Sequence, residues 1–137
     1  MKAALFIGFI VLTLSCATQK NRPEAVRGIT EISFGKSGGF TGMTEEYLIA
    51  GNAEVFKIAN GERTSINHLA KTNIRDISKR IKEMQFKDIK LSDKGNMTYF
   101  IEVKANKYTN RVTWSDLTDT PQVKELYKTL IKTLTPE

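Results

Sequence analysis

Residues 97–115 read MTYFIEVKANKYTNRVTWS, and this stretch decides the fold. Its two halves, 97–104 and 108–115, are rich in β-branched and aromatic residues, and Ala105-Asn106-Lys107 between them is short enough to join two antiparallel strands. Met97, Tyr99, Ile101 and Val103 fall on one face of the first strand, and Val112 and Trp114 on one face of the second; those faces are expected to meet the core. Just downstream the period changes. Thr120 stands as a cap, Pro121 occupies the first helical position, and Val123, Leu126, Tyr127, Leu130, Ile131 and Leu134 follow at i, i+3, i+4, i+7, i+8 and i+11. Upstream of the hairpin, Ile74, Ile77, Ile81 and Met84 recur at the same spacing within 72–86, with Lys79, Arg80, Lys82 and Glu83 on the other side. They predict a second amphipathic helix, capped by Thr72 or Asn73.

Working toward the N-terminus, the pattern returns to strands. Residues 28–34 (GITEISF) alternate as a first strand, and 35–42 (GKSGGFTG) form a glycine-rich connection. Residues 45–50 and 53–59 then predict a hairpin about Gly51-Asn52, whose residues tolerate the positive φ angles of a tight turn. Asn60-Gly61 repeats the signal and sends 63–69 back as a further strand or an irregular segment. The sum is an α+β domain: five or six antiparallel strands packed against two amphipathic helices in a two-layer sandwich.

The composition fits one such domain and no more. The chain has 137 residues, 40% of them hydrophobic and 26% charged, with a net charge of +6. One Cys and one His exclude a disulfide framework or a structural zinc site built within a single chain. The single Cys lies at the end of an apolar run. Met1-Lys2 is a short basic start, 3–14 (AALFIGFIVLTL) is apolar, and Ser15-Cys16 follow, the order of a secretory signal. Twelve apolar residues fall short of the roughly 20 needed to span a bilayer.

The segment Leu12-Thr13-Leu14-Ser15-Cys16 resembles a bacterial lipoprotein signal, in the looser form of some Bacteroidetes. The resemblance implies cleavage after residue 15 and acylation of Cys16; the polar residues that follow, free of periodicity, read as a tether over 16–27, and 28–137 as a single domain. It also implies residence in the cell envelope, at the outer membrane. The alternative is an ordinary signal peptide cut after Ala17, with the cysteine discarded. Taking 15 residues and one Lys from the whole leaves 122 residues and a charge of +5, which permits weak attraction to anionic lipid headgroups or acidic glycans without localising it. Nucleic acid is not an expected partner of an exported protein.

Catalytic patterns do not assemble. Gly35-Lys36-Ser37 invites a phosphate-loop reading, but position 30 is Thr where the motif needs Gly, and a strand follows where a helix should open. His68 is the one histidine and has no nucleophile motif beside it. Glu45, Glu46, Glu54, Glu102 and Asp116 read as solvated acids on strands and turns. The expectation is therefore a protein that is not an enzyme and holds no cofactor and no metal. The most distinctive local feature is Gly38-Gly39-Phe40-Thr41-Gly42. Either it is a binding loop that presents Phe40 to a partner, or the glycines serve the turn while Phe40 folds inward as a plug. Trp114 likewise reads as a binding aromatic or, in phase with Val112, as core.

Taken in order, a first strand, GGFTG, a hairpin, an amphipathic helix, MTYFIEV and a terminal Pro-started helix resemble proteins of the emfourin type over residues 28–134. Gly95-Asn96 before an aromatic strand and Trp114 in the next also resemble Bacteroidetes lipoproteins. Emfourins inhibit thermolysin-like metalloproteases, so the resemblance implies a protein inhibitor, and the residues matching its motif are Gly38, Gly39, Phe40, Thr41 and Gly42. The leading expectation is a membrane-anchored lipoprotein with a non-catalytic binding domain, held to the membrane by its lipid and engaging a protease or another envelope protein. The alternatives are the metalloprotease inhibitor and a structural envelope protein.

Overall fold

A computed structural model describes residues 28–136. The expected signal peptide, Cys16 and the tether lie outside the described residues, as does Glu137. Six antiparallel strands, β1 (Ile29–Gly38), β2 (Met43–Ala50), β3 (Glu54–Ala59), β4 (Glu62–His68), β5 (Met97–Ala105) and β6 (Tyr108–Ser115), form one sheet in the order β4-β3-β2-β1-β5-β6. Helix α1 (Lys71–Glu83) lies between β4 and β5, and helix α2 (Pro121–Lys132) follows β6. The α+β arrangement expected from the periodicities is the one observed.

The alternating positions sort as the pleat requires. Ile32 and Phe34 of β1, Ile49 of β2, Val55 of β3, Ile101 and Val103 of β5, and Val112 and Trp114 of β6 are buried together with Ile74, Ile77 and Ile81 of α1 and Val123, Leu126 and Leu130 of α2. Both helices therefore cover one face. On the other face Leu48 and Phe100 are buried outside this cluster, the Phe100 ring lying under the Arg111 guanidinium at 4.0 Å. Around them Glu31 pairs with Lys104 (3.0 Å) and Arg63 (3.7 Å), and Glu102 with Arg111 (3.4 Å) and Lys104 (3.8 Å).

Three local expectations are corrected. The first strand does not stop at Phe34. Gly35 to Gly38 stay in the ladder, facing Glu46 to Met43 on one side and Phe100 to Met97 on the other, so half of the presumed connection is strand. Gly35 permits this because a Cβ there would overlap the Glu45 carbonyl oxygen. Next, the hairpin between β2 and β3 turns over three residues: Ala53, not Gly51 or Asn52, takes φ +70°, and its N–H donates to the Ala50 carbonyl at 2.9 Å. Asn52 Oδ1 accepts from the Glu54 N–H at 3.2 Å, which closes the turn. The Asn60-Gly61 turn has both φ angles positive (54° and 81°), as expected of a two-residue hairpin. Finally, α1 starts at Lys71, ahead of both predicted caps (Thr72 and Asn73), with extended Ala70 at the N-cap and no side-chain cap bond.

Candidate functional site

The glycine-rich segment closes the β1–β2 hairpin at one end of the sheet. Gly38 ends β1 at φ +107°, and a side chain there would run into the Asn96 carbonyl. The Gly39 N–H donates to that same carbonyl at 2.8 Å, and the Gly42 N–H donates to the Gly39 carbonyl at 3.2 Å. Gly39-Phe40-Thr41-Gly42 is thus a four-residue turn closed on itself and tied to the strand beside it. Phe40 sits at its apex with its side chain fully in solvent (relative exposure 108%), which overturns the inward plug.

Two further apolar side chains share this end of the sheet. Met43, the first residue of β2, is 66% exposed, and Leu117, just after β6, is 97% exposed. Register places Met43 at the foot of the turn, opposite Gly38, and Leu117 along the same end of the sheet beyond β6, two strands from β1. Sequence reasoning did not single out either residue. Leu117 lies between periodic segments, in a turn that no alternation covers, and Met43 follows the glycines directly.

The platform beneath them is held at several points. The segment 91–93 runs along the outer edge of β6: the Thr113 N–H donates to the Leu91 carbonyl and the Asp93 N–H to the Thr113 carbonyl, both at 3.0 Å. The Asp93 carboxylate accepts from the Thr118 hydroxyl and from Ser115 Oγ (3.3 Å), while the Ser115 N–H donates to Thr118 Oγ1 at 2.8 Å. This network fixes the turn that carries Leu117. Under the same end lies an aromatic cluster. Tyr99 stacks on Trp114 (5.8 Å), Phe34 stacks on Tyr47 (5.7 Å), and Tyr127 of α2 meets Trp114, Tyr99 and Phe34 edge-on at 5.4, 5.6 and 6.4 Å. Trp114 is therefore core. Burial pushes the Tyr127 phenol well above its ordinary range, with the neighbouring Tyr99, Glu45 and Tyr47 acting in the same direction. A hydrogen bond to the Asp116 carboxylate, followed by burial, raises Tyr99 as well.

The remaining candidates are scattered. His68 is exposed at the end of β4, on a groove shared with Asn73, Asp76 and Arg80 of α1 and Lys132 of α2. Glu45 is paired with Lys36 (3.4 Å) and Glu102 with Arg111, and the expected acids do not converge on one another. Among the described residues no group of three His, Cys, Asp or Glu is placed to hold a metal. What the geometry offers is an aromatic side chain held out on a braced turn, with two more exposed apolar side chains at the same end of the sheet. That arrangement suits insertion into a partner's pocket, where aromatic anchors give much of the binding energy. No protein-family model matches the chain, and no curated protein matches it.

Proposed function

We propose that the chain is a lipid-anchored protein of the bacterial envelope whose domain binds a protein partner, without catalysis, through the Gly38-Gly39-Phe40-Thr41-Gly42 turn. The observation that carries this reading is the complete exposure of Phe40 on a turn whose own hydrogen bonds hold it out. Exposing an aromatic side chain on a rigid hairpin leaves the hydrophobic contribution to be made by whatever covers it. The direction of β1 adds support. Preceding chain enters at Gly28, and β1 then runs ten residues, about 33 Å, to the turn. An anchor at Cys16 is attached to one end of the domain and Phe40 occupies the other, so the turn is directed away from the entry point of the tether.

The experiment has two parts. Metabolic fatty-acid labelling is expected on the whole chain and lost in Cys16→Ser; persistent labelling of the variant refutes anchoring through that residue. Capture of an envelope protein is expected to weaken about 30-fold or more in Phe40→Ala, the loss typical of a central aromatic anchor, at unchanged melting temperature. Capture that is indifferent to Phe40 refutes the turn as the binding surface. The emfourin likeness defines the first partner to titrate, a thermolysin-like metalloprotease. Stoichiometric loss of its activity selects the inhibitor reading, and undiminished activity alongside Phe40-dependent capture of another protein selects the structural envelope reading.

A further inference from the structure

Helix α1 has two chemically different exposed sides. Lys71, Arg75, Lys79 and Lys82 are all exposed and spaced four, four and three residues apart, which aligns them along one stripe. Both acids of the helix lie elsewhere. Asp76 lines the groove shared with Thr129 and Lys132 of α2, and Glu83 lines the one shared with Pro121, Gln122 and Glu125, Arg80 lying in both. Asp76 therefore faces α2, Glu83 lies on the border between the two sides, and the basic stripe faces away from α2. Of the four stripe residues, Lys79 forms the one ion pair among the described residues, to the bordering Glu83 at 3.7 Å, and both groups are largely in water. On the strands, by contrast, Lys36, Arg63, Lys104 and Arg111 are each matched with a glutamate.

The side of α1 that faces away from α2 is the side where the tether enters. Ile74 packs beside Ile29, Thr30 and Gly51 at the beginning of β1, whereas α2 covers the aromatic cluster nearer Phe40. Exposed Lys107 belongs to the same end, in the turn whose Asn106 N–H donates to the Gly28 carbonyl at 2.8 Å. The chain outside the structure reaches the domain at this point. Residues 17–27 span at most about 40 Å when extended and carry Lys20, Arg22 and Arg27 against Glu24.

We propose that the Lys71, Arg75, Lys79 and Lys82 stripe is a contact surface for anionic phospholipid headgroups. It holds the anchored domain with α1 against the bilayer and Phe40 pointing outward. Stable attachment commonly combines acyl chains with a basic patch, and the stripe supplies the second element at the end where the first would be attached. The proposal takes from the anchored reading only the reason for the membrane's nearness, and its test is independent of the lipid.

The test uses the chain from Ala17 onward, which retains every member of the hydrophobic cluster (residues 29–130) and whose cooperative melting is checked first. Vesicles of neutral phosphatidylcholine are compared with vesicles containing about 30% phosphatidylglycerol, at low and high salt. Expected are binding to the anionic vesicles alone, release by salt, and a roughly hundredfold lower partition coefficient for K71Q/R75Q/K79Q/K82Q. K36Q/K94Q/K124Q/K128Q removes the same charge elsewhere and is expected to bind within about fivefold of the parent. R75Q/K79Q serves as the milder variant should the fourfold one melt early, with about a tenfold loss expected. Absence of binding, equal binding to neutral vesicles, or equal losses in the two fourfold variants overturns the proposal. Binding to a soluble acidic polysaccharide without binding to vesicles also overturns it. Loss of fatty-acid labelling in the native chain with stripe-dependent vesicle binding intact refutes the anchor and leaves the stripe standing.

Discussion

Gly35→Ala tests whether β1 is held in the centre of the sheet by a close backbone approach. Gly35 is buried and faces Glu46 on β2 and Phe100 on β5. An added Cβ would overlap the Glu45 carbonyl oxygen and lie 3.0 Å from its carbon and 3.1 Å from the Glu46 Cα. Non-bonded carbons rest at about 3.5–4.0 Å, so β2 must withdraw by roughly 1 Å at this point. Withdrawal on that scale stretches the neighbouring N–H to carbonyl distances past the useful limit and strands about two buried backbone pairs, at about 1–3 kcal/mol each. The expected loss is about 3–5 kcal/mol, a large part of the roughly 5–15 kcal/mol that stabilises a domain of this size. Urea unfolding followed through the buried Trp114 reads it directly, and the midpoint temperature should fall by about 15–30 °C. Gly42→Ala is the comparator, since φ there is +61° and no atom lies within 4 Å of an added Cβ; it should cost only about 1–2 kcal/mol of backbone strain. A Gly35→Ala protein within about 1 kcal/mol of the parent, or a more damaging Gly42→Ala, refutes the reasoning.

The other predictions concern stability. The Asn110 side-chain amide donates to the Phe86 carbonyl (2.7 Å) and the Ile89 carbonyl (2.9 Å), so Asn110→Ala should destabilise by about 2–3 kcal/mol in the same urea assay. Gln85 follows α1 at φ +51°, the left-handed position where glycine commonly ends a helix; Gln85→Gly should raise stability by about 0.5–1 kcal/mol, read as a later midpoint. Tyr99, Tyr108 and Tyr127 are all raised above the ordinary 10.0 in the fold. The unfolded chain therefore loses these protons first, stability is complete below pH 10 and falls as pH rises beyond it, and phenolate absorbance should lag behind that of the denatured protein.

The sheet and helices were legible because their signals are local and periodic. The 97–115 hairpin, the Asn60-Gly61 turn and the Pro121 start each follow from a few neighbouring residues. What escaped depends on residues distant in sequence. Gly35 reads as a loop residue until β2 is set beside it, and then becomes the residue that lets β2 approach β1 closely. Ala53 carries the positive φ that Gly51-Asn52 led one to expect, because the third position of the turn bears it. For the candidate site, GGFTG was identifiable from composition alone, but whether Phe40 turned inward or outward was not, since a lone aromatic among glycines has no phase. Leu117 and Met43 joined it through strand register. The basic stripe on α1 needed α2 in place, since the helix pattern alone does not say which polar side faces a neighbour and which faces away.

One consequence of the position of β1 is mechanical. Under the proposed function, a pull between an anchor preceding Gly28 and a partner seated on Phe40 would enter and leave the domain through the two ends of a single strand. That strand has eight registered partners in β2 and nine in β5, on opposite sides. Tension along it loads both ladders in shear, many bonds sharing the force together, whereas traction on the C-terminal helix would peel α2 away a few contacts at a time. Force along the line joining its entry point to its exposed turn is thus carried by a strand paired along its length on both sides.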